Sequence, residues 1–435
     1  MTPDTTTPAL VLTVSSDALM HGPLAIVRSL GRLGVSVHVA HPGKPLPVDS
    51  SRYLAGSSPL AVEADPESLV EQVIAVARRI GGTPLLIPTD DAAALLVDAY
   101  AEVLAPHARF PHRPEGLAAR LASKSELTRM CRVHGVATPQ AWMPDSREAL
   151  RAGASRFPLV VKAVDPMLLR RAPGARSVTV ARSLPELLAA FDVLSAAGPG
   201  NVLVQEYIPG GPDTIWMFNG YFDRQASCRF GATAVKLRQC PPGTGPTSLG
   251  VVRGNPAVRR TAEAFLGALG YTGIVDLGFR YDARDGSYRL LDVNPRIGGT
   301  FRLFTGLKGV DVVRALYLDA TGQTIPDDAA VEGRRWQDEP HDLLAQAVYR
   351  RQGTSPWRTW LASSRSVDER AWYAVDDLRP FAVMWRHVGS RAGRGLSRVV
   401  ATGRRGAVGE PRGGSTVPPV AAMSVPGNAG RQEWS

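Results

Sequence analysis

One stretch limits the folds open to this 435-residue chain more than any other: residues 273–294, two alternating segments joined by Asp285-Gly286. Residues 273–281 and 288–294 read as strands, and Asp-Gly between such runs is a strong hairpin signal. Positions two apart on a strand share a face, so Asp292 and Asn294 point one way, with Arg296 just beyond, and the partner strand can bring Asp276 opposite them. Two carboxylates held that close are costly without a cation. With the carboxamide they form a hard, oxygen-only set suited to magnesium carrying triphosphate oxygens. The competing reading is a solvated acidic hairpin face. Against it stand the apolar neighbours Leu277, Phe279, Leu290, Leu291 and Val293, Pro295 ending the strand, and the bare amides of Ile297-Gly-Gly299 where an anion could sit.

The N-terminal hundred residues have a different texture. Residues 9–14 form an apolar run, 23–33 a helical pattern ending at Gly34, 35–39 a second strand, 69–80 a helix, 84–88 a strand and 92–100 a helix. That alternation implies a parallel sheet covered by helices. Ligands of such sheets lie beyond the strand carboxyl ends, which nominates His21, Gly22, Thr89, Asp90 and Asp91. An equal alternative for Asp90 and Asp91 is that they begin a helix, where carboxylates favour the dipole. No GxGxxG follows the first strand, so a dinucleotide site is not expected.

From residue 121 the pattern turns antiparallel. A helix over 123–134, closed by Gly135, precedes expected strands at 158–163, 202–208, 214–229 and 232–237, with helices at 184–194 and 256–269. Residues 331–381 are Trp- and Arg-rich and read as helical. Beyond Arg386 ten glycines and four prolines leave too little apolar content to fold.

Charge narrows the partners. The formal net charge is +10, from 50 basic and 40 acidic residues, which first suggests nucleic acid or a membrane surface. Over half of that excess lies in residues 386–435, where eight arginines face two glutamates. The remainder is ordinary for a folded chain, and no apolar run reaches the roughly 20 residues that span a bilayer. Cys131, Cys228 and Cys240 lack the spacing of a disulfide framework or a zinc site, which fits a reducing cytoplasm. Of the 50 cations only Lys44, Lys124, Lys162, Lys236 and Lys308 are lysine. In a chain that otherwise writes arginine, a retained lysine points to a role for a compact point charge.

Asp276 with Leu290-Leu-Asp-Val-Asn-Pro-Arg296 closely resembles the metal-binding signature of the ATP-grasp superfamily. Other segments match in order. Ser123-Lys124-Ser-Glu-Leu looks like the lysine-bearing entry to the first lobe, and Phe157-Pro-Leu-Val-Val-Lys162 like the strand whose lysine touches the nucleotide phosphates. Val204-Gln-Glu-Tyr-Ile-Pro-Gly210 looks like the adenine-reading segment between lobes, with Asp213 where the family places its ribose-binding acid. The resemblance covers about residues 9–325 and is strongest to the carboxylate–amine ligase branch, including D-aspartate ligase-like proteins.

It implies an α/β pre-ATP-grasp domain at 9–118 and an α+β ATP-grasp domain at 119–325, to which composition and pattern add a helical extension at 326–385 and a disordered tail at 386–435. ATP and magnesium, or manganese, are the implied cofactors. Lys124, Lys162, Gln205, Glu206, Tyr207, Ile208 and Asp213 would bind nucleotide, and Asp276, Asp292 and Asn294 the metal. Arg296 would clamp the γ-phosphoryl group and acyl oxyanion, with Lys236 and Arg238 as further catalytic choices and Arg302 behind them; for these last three a solvated charge is nearly as good a reading. The implied reaction joins a small carboxylate to an amine through an acyl phosphate, in the cytoplasm, with no nucleic acid or membrane partner and with a homodimer allowed. The alternatives are a phosphotransferase and a non-catalytic nucleotide-binding protein. Two departures stand out: residues 165–177 hold one glycine, Gly174, beside Arg170, Arg171 and Arg176, where relatives carry several glycines, and Ile297-Gly-Gly-Thr-Phe replaces an expected Pro-Trp-rich stretch.

Overall fold

In a computed structural model of the chain the described residues are 3–164, 168–169 and 176–390. Asp165, Arg170, Arg171, Gly174 and the tail from residue 391 on lie outside them.

The first sheet is parallel throughout, in the order β3-β2-β1-β4, from β1 (Ala9–Leu12), β2 (Val37–Pro42), β3 (Leu54–Leu60) and β4 (Leu85–Pro88). Strand β1 is buried along its whole length, as an inner parallel strand with both faces covered must be. The alternation in the sequence gives three of these strands. The fourth, β3, escapes it because Gly56, Ser57, Ser58 and Pro59 carry no apolar period; an edge position tolerates them. Helices Gly22–Gly31, Pro66–Ile80 and Asp91–Ala99 cover the sheet.

Next comes a four-stranded antiparallel sheet, ordered β5-β8-β6-β7, built from β5 (Ala141–Trp142), β6 (Leu159–Ala163), β7 (Val178–Ala181) and β8 (Val202–Glu206). The helices Arg147–Gly153 and Leu184–Ala197 each begin at a serine whose hydroxyl accepts from a first-turn amide, a cap visible in the sequence. Leu150, Leu159, Val161, Leu187 and Val204 form this lobe's own core.

The largest sheet has seven strands, ordered β13-β12-β9-β10-β11-β14-β15. They are β9 (Ile215–Phe222), β10 (Cys228–Gln239), β11 (Thr247–Val252), β12 (Gly273–Asp282), β13 (Ser287–Asn294), β14 (Arg335–Gln337) and β15 (Glu369–Arg370). The expected strand over 214–229 is two strands. Asp223 accepts from the amides of Gln225 and Ser227 and turns the chain, so Cys228 and Arg229 belong to β10. The hairpin forms as expected, with Gly286 at φ 73° and Asp276 facing Asn294.

The segment after residue 326 is not simply helical. It supplies helices Glu339–Arg351 and Trp357–Arg365, but also β14 and β15, which extend the large sheet beyond β11. Trp336 and Trp372, both fully buried, belong to one core with Leu24 and Ile26 of the first helix and Phe301 and Phe304 after the hairpin. A boundary at 325 therefore cuts through a continuous core. Arg386 lies within a helical stretch that begins at residue 379, so the chain is still ordered where the tail was expected to start. No helix among the described residues is long and apolar enough to cross a membrane.

Candidate active site

Strand β12 pairs with β9 on one side and β13 on the other, and this fixes the acids. Asn294 lies across from Asp276, and Asp292 across from Gly278. A side chain at 278 would bring its Cβ to 2.4 Å from Asp292 Oδ1, so glycine is what lets that carboxylate lie over the strand. Gly298 does the same for the other acid: a Cβ there would fall 2.6 Å from Asp276 Cγ. The Asn294 amide lies 3.4 Å from Asp276 Oδ2 and 3.4 Å from Asp292 Oδ2, bridging the pair.

Three lysines meet these acids, each from a different element. Lys124 opens the helix Lys124–Val133 behind its cap Ser123, Lys162 lies on β6 of the small sheet, and Lys236 lies on β10 of the large one. Burial would raise the Asp292 carboxyl, but Lys124, Lys236 and Lys162 together outweigh it and hold it below the ordinary value. Asp276 behaves oppositely: burial and the Asp292 charge push it up to about 6, against Arg296, Lys236 and Asn294. Burial, with Lys124 adding repulsion, brings Lys162 down to about 8 although Asp292 opposes this. Burial likewise lowers Lys236, against Asp292 and Asp276. Three of the five lysines thus converge on one carboxylate.

The donor set fits a divalent cation. Asp276 Oδ1 is shielded from solvent and has no hydrogen-bond partner among the described residues. Burial and the neighbouring Asp292 charge raise the Asp276 carboxyl, and a half-turn of the Asn294 amide would present an oxygen in place of its nitrogen. Among the described residues no three His, Cys, Asp or Glu side chains cluster for a metal; the further oxygen-bearing side chain beside the two aspartates is Asn294.

The interlobe segment runs from β8 into β9. Gln205 is buried on β8, Ile208 is buried after it, and Asp213 lies in the short turn Pro212–Thr214. Glu206 accepts from Arg284 at 2.6 Å, and Arg280 lies 5.7 Å over the Tyr207 ring while donating to Gly210 O at 2.6 Å. The sequence reading missed Arg280 and Arg284. Position 280 has the parity of 276 and 278, which was the available signal.

Arg238 is a correction. In an unbroken strand 236 and 238 would share a face, but Lys236 pairs with Gly250 and Arg238 with Leu249, so β10 bulges between them. Lys236 turns to the acids while Arg238 turns the other way, onto Asp342 at 2.8 and 2.7 Å and Ser363 at 2.8 Å. Its fork is fully engaged in holding the C-terminal helices. Arg302 is likewise buried on Glu369 and Asp311, which removes it from the site.

Of the first-sheet candidates, one reaches the acids' neighbourhood through an ion pair. Asp91 takes Arg296 at 2.6 and 3.2 Å. Asp90 caps its helix through the Ala93 amide and holds the loop after β1 through Thr13, Val14 and Ser15. Thr89 bonds back to Leu12 O, and Gly22 is the buried first residue of its helix. His21 rests against Gly299, with Asp338 at 3.3 Å and the Trp336 ring at 5.3 Å.

The small antiparallel sheet and the large one both contribute side chains to a single acid–lysine cluster. No protein-family model matches the chain. It is 24% identical over 284 residues to a D-aspartate ligase from Enterococcus faecium (strain Aus0004), a match covering 60% of this chain and 66% of that protein, so it spans just under two thirds of that relative's length. Among solved structures it is similar to an L-amino acid ligase from Bacillus licheniformis, with a TM-score of 0.56, 17% identity and 73% and 75% of the two chains covered. It is also similar to N5-carboxyaminoimidazole synthetase from Staphylococcus aureus complexed with ADP, with a TM-score of 0.57, 10% identity and 75% and 80% covered. The chain has the ATP-grasp fold that its hairpin and lysines resemble.

Proposed function

We propose that the protein is an ATP-dependent carboxylate–amine ligase that forms an amide through an acyl phosphate. One observation carries this reading: Lys124, Lys162 and Lys236, from three elements, face an Asp276–Asp292–Asn294 set gathered on one hairpin. The similarity to a D-aspartate ligase supports the same reaction class. Magnesium bound at the two aspartates and Asn294 would supply positive charge to the triphosphate oxygens. Lys162 and Lys124 hold those phosphates, and the Gln205–Ile208 segment with Asp213 holds the nucleoside. Lys236 faces the phosphoryl oxygens from the large sheet, and Arg296 meets the carboxylate under attack. Charge builds on oxygen during the transfer, so fixed cations are the main catalytic resource of such a site. The proposed setting is a reducing compartment supplied with ATP, the cytoplasm; Cys131 and Cys228 are free thiols pushed up to about 12, chiefly by burial.

The test is phosphate release from MgATP over a panel of amino acids and small carboxylates, with hydroxylamine to trap acyl phosphate and mass spectrometry to detect amide. Hydroxamate without any amide over a full amine panel would mark a phosphotransferase. Nucleotide binding with neither product would mark a non-catalytic binder.

Lys162 makes a second, pH-dependent prediction. Its ammonium titrates near 8, so the charge facing the phosphates is present below that value and lost above it. KM for ATP is expected to climb by up to about tenfold per pH unit above 8. Lys162→Arg, whose charge persists to far higher pH, should flatten that limb even if it weakens binding overall. A KM profile flat from pH 7 to 9.5 in the wild type would remove Lys162 from the phosphate site.

A further inference from the structure

The pair between Asp91 and Arg296 joins the first α/β layer to the acid hairpin, and helix formation does not explain it. Asp90, one residue earlier, already caps the helix and ties down the loop after β1. Asp91 is left with its side chain 57% exposed and both carboxylate oxygens on Arg296. Arg296 is only 19% exposed, and its remaining terminal nitrogen donates to Ile297 O at 3.0 Å. Its charge also reaches Asp276. The guanidinium therefore lies between a sealed carboxylate that belongs to the metal set and an accessible one that does not.

The pair is bidentate and its arginine mostly buried, so a ligand that breaks it has to satisfy both halves, while the exposed Asp91 side leaves room for that exchange. A ligand carrying only a carboxylate could replace Asp91 on Arg296, but it would leave Asp91 with no counter-charge. A ligand with a carboxylate and an ammonium a few ångströms apart replaces both halves of the pair at once. Its anion takes the planar fork of Arg296, and its ammonium takes Asp91.

Resting on the ligase reading, we infer that Asp91 and Arg296 form a zwitterion subsite, so that the carboxylate activated here belongs to an amino acid and Asp91 selects it through its ammonium group. Asp91 is then a specificity-determining residue contributed by the first domain.

The test uses the full chain with MgATP and hydroxylamine, so that hydroxamate reports activation of the carboxylate alone. Paired probes differ only in the amino group: alanine and propionate, aspartate and succinate, glutamate and glutarate, with both enantiomers of each amino acid. The wild type is expected to favour the amino member of its best pair by about thirtyfold in kcat/KM, the scale of one charge-assisted hydrogen bond. Asp91→Asn should shrink that preference to within about threefold, mainly through KM, and Asp91→Glu should keep most of it. Retention by the glutamate variant separates lost charge from a disturbed helix start. A wild type that uses the deaminated members equally well would overturn the inference. So would an Asp91→Asn enzyme that keeps its preference, or one that gains equally on both members, which would make the pair a simple latch. Hydroxamate from no pair would remove the ligase reading and this subsite with it.

Discussion

If the proposed ligase reading holds, Asp276→Asn and Asp292→Asn are expected to cut turnover alike, by about 10²-fold or more, because each would remove an oxygen ligand of the cation proposed to balance the transferring charge. Their effects on the metal-free protein should have opposite signs. Asp276 holds its proton up to about 6 in the folded state, against an ordinary 3.8, so the folded chain binds that proton more tightly than the unfolded one. The resulting destabilisation is absent below about pH 4, grows between 4 and 6 and is complete above 6. At pH 7.5 it is on the order of 3 kcal/mol, which Asp276→Asn would relieve. The Asp292 carboxyl is held below its ordinary value by three lysines, so its charge stabilises the fold above about pH 4 and that contribution is lost as the pH falls. Asp292→Asn leaves Lys124, Lys162 and Lys236 facing one another with only Asp276 near. Melting temperatures at pH 7.5 without divalent cation should rise for the first variant and fall for the second. Shifts of the same sign would contradict the charge balance described here, and turnover above about a tenth of wild type in either variant would remove that residue from the metal set.

That contrast could not be read from the sequence, where Asp276 and Asp292 are simply two acids on facing strands. What the sequence carries well is periodicity and punctuation: the alternation around Asp292, the Asp285-Gly286 turn, the serine caps and the scarcity of lysine. Those signals put Asp276, Asp292 and Asn294 on one hairpin, while Lys124 and Lys162 are nominated by the resemblance to the ATP-grasp superfamily. They fail where one extra residue changes a face. The bulge between Lys236 and Arg238 sends neighbouring cations to opposite sides of β10, and no propensity marks it. They fail again where short strands are recruited by a sheet. Arg335–Gln337 and Glu369–Arg370 have too few residues to show a period, and pairing with β11 and β14 decides their conformation. The pairing of Asp91 with Arg296 spans 205 positions and is set by how the layers pack, which local pattern does not encode.

Asp342→Leu should be the most destabilising single change among these residues, and it decides what Arg238 is for. Asp342 is fully buried on the helix Glu339–Arg351. Its Oδ1 accepts from Arg238 Nε at 2.8 Å and Ser248 Oγ at 2.9 Å, and its Oδ2 from Arg238 Nη2, Gln337 Nε2 and Trp360 Nε1, each at 2.7 Å. Removing the carboxylate leaves a buried guanidinium and three further polar groups uncompensated. A cost of about 3–5 kcal/mol in urea unfolding follows from stranding a buried charge. Arg238→Met alone should cost less, because Asp342 keeps three of its donors. The double variant removes both charges and should recover about half of the Asp342→Leu loss, since partners in one network do not add. If Arg238 serves only this scaffold, the folded double variant should retain KM for ATP and turnover within about threefold of wild type. A double variant that unfolds cooperatively yet has lost turnover by about 10²-fold would return Arg238 to the catalytic set. The bulge would then have to relax during the reaction to bring that side chain back to the face of Lys236.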